Sequence, residues 1–316
     1  MKVLFMGTPD FAVGALEAII QAGHEVVCVV TQPDKPKGRS GQMQFSPVKE
    51  CALKYGLPVF QPERIKRPEA VEELKKYDAQ VFVVAAFGQI VSREILDMPP
   101  FGCINIHASL LPKYRGASPI QQAVLDGEEK SGVTIMQMED GIDTGDILYQ
   151  KEIRLDAKET GASLFDKLSD LGAQAIVEAL PLLEAGKLTA VKQDEAKATH
   201  VKMISKSQGL IDWTESAIVI ERKIRGLNSW PSAYTYYKGK QLKIWDGDVL
   251  DLTTEKDVKP GTVVGVDKHT ILVQTGKMVL AINELQLEGK KRMNTHEFLL
   301  GYQVKVGEVL GSDKAE

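Results

Sequence analysis

Val81-Phe82-Val83-Val84-Ala85-Ala86-Phe87 is apolar at every position. A strand with one face in water alternates apolar and polar side chains, so an unbroken run reads as a strand covered on both faces, the hallmark of a parallel sheet. Outward from it, further strand-like segments stand at 3–6, 26–30, 58–60, 104–107 and 133–138. Between them, residues 11–21, 46–55, 69–76, 92–96 and 117–125 have helical spacing or helix signals. Such alternation predicts an α/β fold with a doubly wound, mostly parallel sheet. A longer helix is expected from about residue 163, with Leu164, Leu168, Leu171 and Ala175 on one face and Pro181 bending or ending it.

Beyond residue 189 the pattern changes. Residues 190–207 are polar with little periodicity and read as a linker. One helix-like stretch at 216–226 then precedes short segments at 233–237, 242–245, 262–266, 271–275 and 279–287, punctuated by Gly239, Gly247, Gly261 and Gly276. Short strands with regular turn signals predict a small β-barrel or sandwich, and an OB-like β-barrel is the fold expected. The expected division is therefore a catalytic α/β domain at 1–189, a linker at 190–207 and a barrel at 208–316.

The chain has 316 residues, 43% apolar and 26% charged, which gives ample core and no case for disorder. No run reaches the eighteen or more apolar residues of a membrane helix, and Met1-Lys2 leads directly into an apolar strand rather than a signal peptide. Three cysteines, Cys28, Cys51 and Cys103, show no CxxC spacing; neither disulfides nor zinc is expected, and a reducing cytoplasm is the expected location. A net charge of −4 does not advertise nucleic acid, but local basic clusters exist at Lys35/Lys37/Arg39, Lys113/Arg115 and Lys290/Lys291/Arg292. Each taken singly reads as ordinary solvated surface.

The chemistry concentrates in Asn105-Ile106-His107-Ala108-Ser109-Leu110-Leu111-Pro112-Lys113-Tyr114-Arg115-Gly116. In a strand, alternate side chains share a face, so Cys103, Asn105 and His107 point one way. An amide and an imidazole together at a strand exit fit either a satisfied strand end or a reacting centre. Downstream lies Asp140-Gly-Ile-Asp143-Thr-Gly-Asp146, which by itself fits a turn between strands. It fails the calcium-loop pattern because Lys151 stands where the twelfth-position glutamate is required. Gly7-Thr8-Pro9 lacks the second and third glycines of a dinucleotide fingerprint, which argues against a nicotinamide cofactor. The five histidines show no metal spacing, and no serine or cysteine has a nucleophile-elbow context, so no metal is expected. Asn105, His107 and one aspartate suit direct acyl transfer to an amine. Amide and imidazole would stabilise the oxyanion, and the carboxylate, with Asp143 the choice among the three, would hold the ring and position a proton-carrying water.

The chain closely resembles the methionyl-tRNA formyltransferase family over essentially its whole length. The resemblance is carried by Gly7-Thr8-Pro9-Asp10-Phe11, Thr31-Gln32-Pro33-Asp34, Ser46-Pro47-Val48-Lys49, residues 102–107, Ser109-Leu110-Leu111-Pro112, Arg115-Gly116-Ala117, Pro119-Ile120-Gln121, residues 132–138 and Asp143-Thr144-Gly145-Asp146. It implies a formyl donor, 10-formyltetrahydrofolate, and an acceptor, methionine on initiator methionyl-tRNA, in translation initiation, with no obligate protein partner and no metal. The same resemblance places catalysis on Asn105, His107 and Asp143. Folate contacts fall on Phe87, Gly88, Gln89 and Ile90 and on Ser109, Leu110, Leu111 and Pro112. The loop 34–45, with Lys35, Lys37 and Arg39, would be mobile and enter the tRNA acceptor stem. Phe87 stands where the family commonly has Tyr, and Ala108 where it often has Gly or Pro. The Asn–His–Asp set is shared with folate-dependent formyltransferases acting on small amines, which leaves that activity as the alternative.

Overall fold

The computed structural model describes residues 1–37, 42–252 and 257–311. The first unit comprises 1–119, 130–154 and 165–201, and the second comprises 120–129, 155–164 and the chain from 202 onward.

A seven-stranded sheet organises the first unit. Its order is Ile147–Arg154, Lys130–Gln137, Cys103–His107, Val81–Ala85, Lys2–Gly7, Glu25–Val30 and Val59–Phe60. The five strands from Cys103–His107 to Val59–Phe60 run parallel, and Lys130–Gln137 and Ile147–Arg154 add an antiparallel edge. Every residue of Val81–Ala85 is buried, as expected for a strand covered on both faces. From the first strand the chain moves outward to Glu25–Val30 and Val59–Phe60, then returns to add Val81–Ala85 on the first strand's other side. That reversal opens a crevice at the strands' carboxyl ends, where open α/β sheets hold their ligands.

Helices form where capping and pattern agree. Ser46 accepts from the Lys49 amide at 3.1 Å, and Pro47 occupies the first position of helix Pro47–Lys54. The long helix spans Gly161–Glu184 and includes Pro181. The bend or end expected at Pro181 is not where the helix stops. Pro181 falls in the last turn, its carbonyl accepts from Ala185 at 3.0 Å, and the helix ends three residues later at Glu184.

The second unit is built on an antiparallel sheet in the order Ala233–Tyr237, Lys240–Leu250, Val279–Leu287, Ile271–Gln274 and Val263–Val266. Ala233, Thr235 and Tyr237 face inward and Tyr234 and Tyr236 outward, the period of two that a half-covered strand requires. Lys238 and Gly239, at φ 48° and 74°, make the tight turn into the next strand. The core includes Trp213, Ile220, Ile224, Leu242, Ile282 and Phe298, with helix Ala217–Gly226 packed on the sheet. Residues 307–311 join the two edge strands. Val263 donates to Glu308 and Leu310 to Gly261 on one side, while Gly311 and Tyr236 exchange bonds on the other. This closes the sheet into a barrel.

The units do not follow the chain as a simple cut would. Residues 120–129 belong with the second because Arg222 donates to the Asp126 carbonyl at 3.3 Å and Gly226 leaves room for Leu125. The polar stretch from 190 divides: residues up to 201 belong to the first unit, and those from 202 to the second.

Candidate active site

Strand Cys103–His107 lies between a parallel and an antiparallel neighbour, with Asn105 opposite Val84 on one side and Met136 on the other. Asn105 and His107 share a face by strand geometry. His107 is buried at 6% exposure, and its Nε2 lies 2.9 Å from the Tyr114 carbonyl oxygen. A carbonyl can only accept, so Nε2 carries a hydrogen and donates it, which fixes the ring's orientation. On the ring's other edge, Nδ1 faces Asp143 Oδ2 at 3.6 Å, an ion pair when the ring is protonated. The same carboxylate oxygen accepts from the Gly116 amide at 2.8 Å. Asp143 adopts φ 54°, a left-handed conformation that Asp tolerates better than most residues. Asn105 is partly buried, and among the described residues its side-chain amide makes no hydrogen bond. Asn105 thus shares a strand face with His107, whose ring is oriented by Tyr114 and faces the Asp143 carboxylate.

Cys103, on the same face, contributes no nucleophile. Burial pushes its thiol far above the ordinary range, and it donates instead to the Ile95 carbonyl. All three cysteines are free and buried.

The turn after His107 is held from beneath. Thr134, fully buried, donates to the Ser109 carbonyl at 2.7 Å and accepts from the Leu111 amide at 3.1 Å. Ser109 donates to the Lys113 carbonyl at 2.6 Å. Ser109 and Leu111 are buried and shape the turn, whereas Leu110 and Pro112 are partly exposed. The loop after Val81–Ala85 is held by the first strand's exit. The Phe87 carbonyl accepts from Thr8 at 3.1 Å and from Gln32 at 3.2 Å, and Gly88 takes φ 83°. Gln89 spends its side chain on Ile65, Pro62 and Gln32. Ile90 projects into solvent at 78% exposure, and Ile142, beside Asp143, at 69%. Both are exposed apolar side chains on loops that flank the strand end.

Arg115 is not the surface charge its sequence context predicted. It is 1% exposed, forked onto both Glu195 oxygens at 2.7 and 3.0 Å, with Nε donating to Gln193 at 3.0 Å. A bidentate carboxylate makes burial of the guanidinium tolerable. These hydrogen bonds hold the Glu195 carboxyl below its usual range. Sequence reasoning missed Gln193, Glu195 and the Tyr114 carbonyl. Gln193 and Glu195 sit far along the chain in a stretch without periodicity, and a backbone carbonyl carries no side-chain signature.

A cavity of about 520 Å³ lies beside the segment leading into the Asp143 loop, lined among others by Arg93, Leu96, Phe101, Gly102, Met138 and Glu139. Of these, only Gly102 and Met138 fall in the stretches that carry the family resemblance. Of the basic loop, Lys35–Lys37 pairs antiparallel with Gln42–Gln44, and its base is anchored by Lys49 and Gln61 on Asp34 at 2.6 and 2.8 Å. Lys35 is exposed, and Arg39 lies outside the described residues.

Residues 1–180 match the model of the formyl transferase family, and 203–303 that of the formyl transferase C-terminal domain. A methionyl-tRNA formyltransferase of Lachnospira eligens is 59% identical over 98% of this chain and 100% of its own, and that of Agathobacter rectalis is 56% identical over 97% and 98%. This chain belongs to the methionyl-tRNA formyltransferase family. The fold agrees with solved formyltransferase structures. An N-formyltransferase from Helicobacter canadensis, in complex with folinic acid and dTDP-3-aminofucose, superimposes with a TM-score of 0.67 at 20% identity, over 89% of this chain and 99% of its own. HypX from Aquifex aeolicus, in complex with tetrahydrofolic acid, gives 0.62 at 17% identity, over 98% of this chain and 50% of that one. Among the described residues of this family member, no helix is long and apolar enough to cross a membrane.

Proposed function

We propose that this chain transfers the formyl group of 10-formyltetrahydrofolate to the α-amine of methionine on initiator methionyl-tRNA. The observation that carries the reading is the convergence of an unspent Asn105 amide, an oriented His107 and Asp143 on one strand end in a chain with full-length methionyl-tRNA formyltransferase relatives. The methionine nitrogen attacks the formyl carbon, and the electron pair of the C=O bond moves to oxygen. Asn105 Nδ2 donates to that oxyanion, while His107, held through Nε2 by the Tyr114 carbonyl, keeps Nδ1 toward Asp143. The ammonium proton passes toward Asp143 and His107, and the folate nitrogen leaves with a proton as the carbonyl re-forms. The Nδ1 to Oδ2 separation, longer than a hydrogen bond, is of the kind that tightens when reactants arrive.

The donor fits the loops 86–90 and 109–112. Ile90 and Ile142 supply apolar cover for a flat ring, the peptide groups of Phe87 to Ile90 supply its edge contacts, and Ser109, Leu110, Leu111 and Pro112 form the floor. Lys35, Lys37 and Arg39 are the tRNA contacts, basic residues for phosphate or base edges; Lys35 and Lys37 lie on the strand Lys35–Lys37, and Arg39 is outside the described residues. The cytoplasm, where thiols stay reduced, suits three free buried cysteines. The test is transfer of labelled formyl to charged initiator tRNA, with charged elongator methionine tRNA and small amines, an amino-sugar nucleotide among them, as comparison acceptors. Preference for the initiator supports the reading; faster turnover of a small amine would replace it.

A further inference from the structure

We infer that Gln193 is a positioning residue for formyl transfer, holding the backbone that aims Asp143 at His107. The inference rests on the proposed role of Asp143. Gln193 is nearly fully buried, and its Nε2 donates to the Asp143 carbonyl at 2.8 Å and the Gly145 carbonyl at 2.7 Å. Its Oε1 accepts from Arg115 Nε at 3.0 Å, and Arg115 is in turn clamped by Glu195. This arrangement fixes which end of the amide points where: the oxygen must meet the guanidinium, and the nitrogen must meet two acceptors. The donors therefore grip the peptide units on both sides of Thr144, in a loop whose Asp143 holds a left-handed φ of 54°.

The segment carrying Gln193 reaches the other half of the centre as well. Ile147 and Val191 exchange backbone bonds just beyond the Asp143 loop. Thr199 Oγ1 accepts from the Tyr114 amide at 2.8 Å, and the Thr199 carbonyl accepts from the Arg115 amide at 2.8 Å. Tyr114 is the residue whose carbonyl orients His107. Residues 191–201 thus form a strap, all within the first unit, that sets both partners of the imidazole: the carbonyl on Nε2 and the carboxylate on Nδ1. Neither Gln193 nor Thr199 bonds to His107, so their effect runs through the groups they hold. A shift of about an ångström in a reacting group can cost on the order of a hundredfold in rate.

The test uses the full chain with saturating 10-formyltetrahydrofolate and initiator methionyl-tRNA. Gln193→Met keeps side-chain length and removes both donors. Its kcat should fall on the order of tenfold or more, with KM for either substrate within about twofold. The readout that separates positioning from general support is the cycle with Asp143→Asn: the double variant should lose far less relative to Asp143→Asn than Gln193→Met loses alone, because the two Gln193 donors act through the loop that carries that carboxylate. Additive losses, or unchanged kcat in Gln193→Met, would overturn the inference while leaving Asp143 catalytic. Normal turnover in Asp143→Asn would overturn both. Should Gln193→Met not fold, Thr199→Val in a cycle with His107→Gln applies the same criterion to the other end of the strap.

Discussion

Asn105 stands apart at the scale of single residues because its amide is unspent while its neighbours' polar groups are committed. His107 donates to Tyr114, Asp143 accepts from Gly116, and Ser109 and Thr134 bond to the turn. An amide left free on a strand face that also carries His107 is available to stabilise charge that exists only in the transition state. Asn105→Ala should therefore lower kcat by about 10²–10³-fold with little change in folate affinity, measured by single-turnover transfer and titration with a folate analogue. A second expectation concerns Glu195. Its carboxyl is held below its ordinary value of 4.5 by Arg115, so the folded state favours the ionised form. The stabilisation from the pair is thus complete above that value and is lost as pH falls through the lower folded-state value. The gap in thermal midpoint between the protein and Glu195→Gln should be present near neutral pH and close under acid. A gap that widens below 4.5 would contradict the pairing. Asn105 and His107 were legible from sequence because strand alternation is local and puts them on one face without further knowledge. Arg115 was not: whether an arginine is solvated or buried depends on its partner, and Glu195 lies 80 positions away.

Elements show the same division between local and distant information. The apolar run at 81–87 announced a covered strand, and the alternation in 233–237 announced a half-covered one, because each pattern is written in consecutive residues. The stretch after 189 looked like a linker for the converse reason. Its side chains obey no period, since Gln193, Glu195 and Thr199 each answer to a different place in the first unit. At Gly116 the strap comes so close that a Cβ would collide with the Val201 carbonyl, and φ is 106° besides. The segment 307–311 was equally silent, yet it joins the barrel's edges and inserts Leu310, 4% exposed, into the core. Leu310→Ala should cost about 2–5 kcal/mol by removing buried methyls and leaving a cavity. Urea unfolding followed by tryptophan fluorescence checks this, since Trp213 shares that core. A loss below 1 kcal/mol would mean the closure is superficial.

For the molecule as a whole, domain organisation was readable only in outline. A change of pattern falls near 190–208, and the two family models match residues 1–180 and 203–303. What one-dimensional reading could not show is that residues 120–129 and 155–164, well before that change of pattern, complete the second unit. Arg225 donates to the Glu159 carbonyl at 2.8 Å, and Ala162 to the Asn228 carbonyl at 2.8 Å. Because the second unit needs segments from both halves, calorimetry should show one cooperative transition rather than two independent ones. Severing the chain after residue 201 should leave a C-terminal fragment that does not reach the intact protein's thermal midpoint. Two resolved transitions in the full chain would show that the borrowed segments contribute little.

The contact between Arg222 and the Asp126 carbonyl joins positions 96 apart in sequence. On a ribosome adding roughly 5–20 residues per second, the segment around Leu125 therefore waits about 5–20 s before the helix that receives it has been made. For that interval the nascent chain carries an apolar stretch whose partner does not yet exist. The second unit is thus a late assembly, and a chaperone that shields apolar segments during synthesis would have its use here, before any domain boundary drawn on the sequence has been reached.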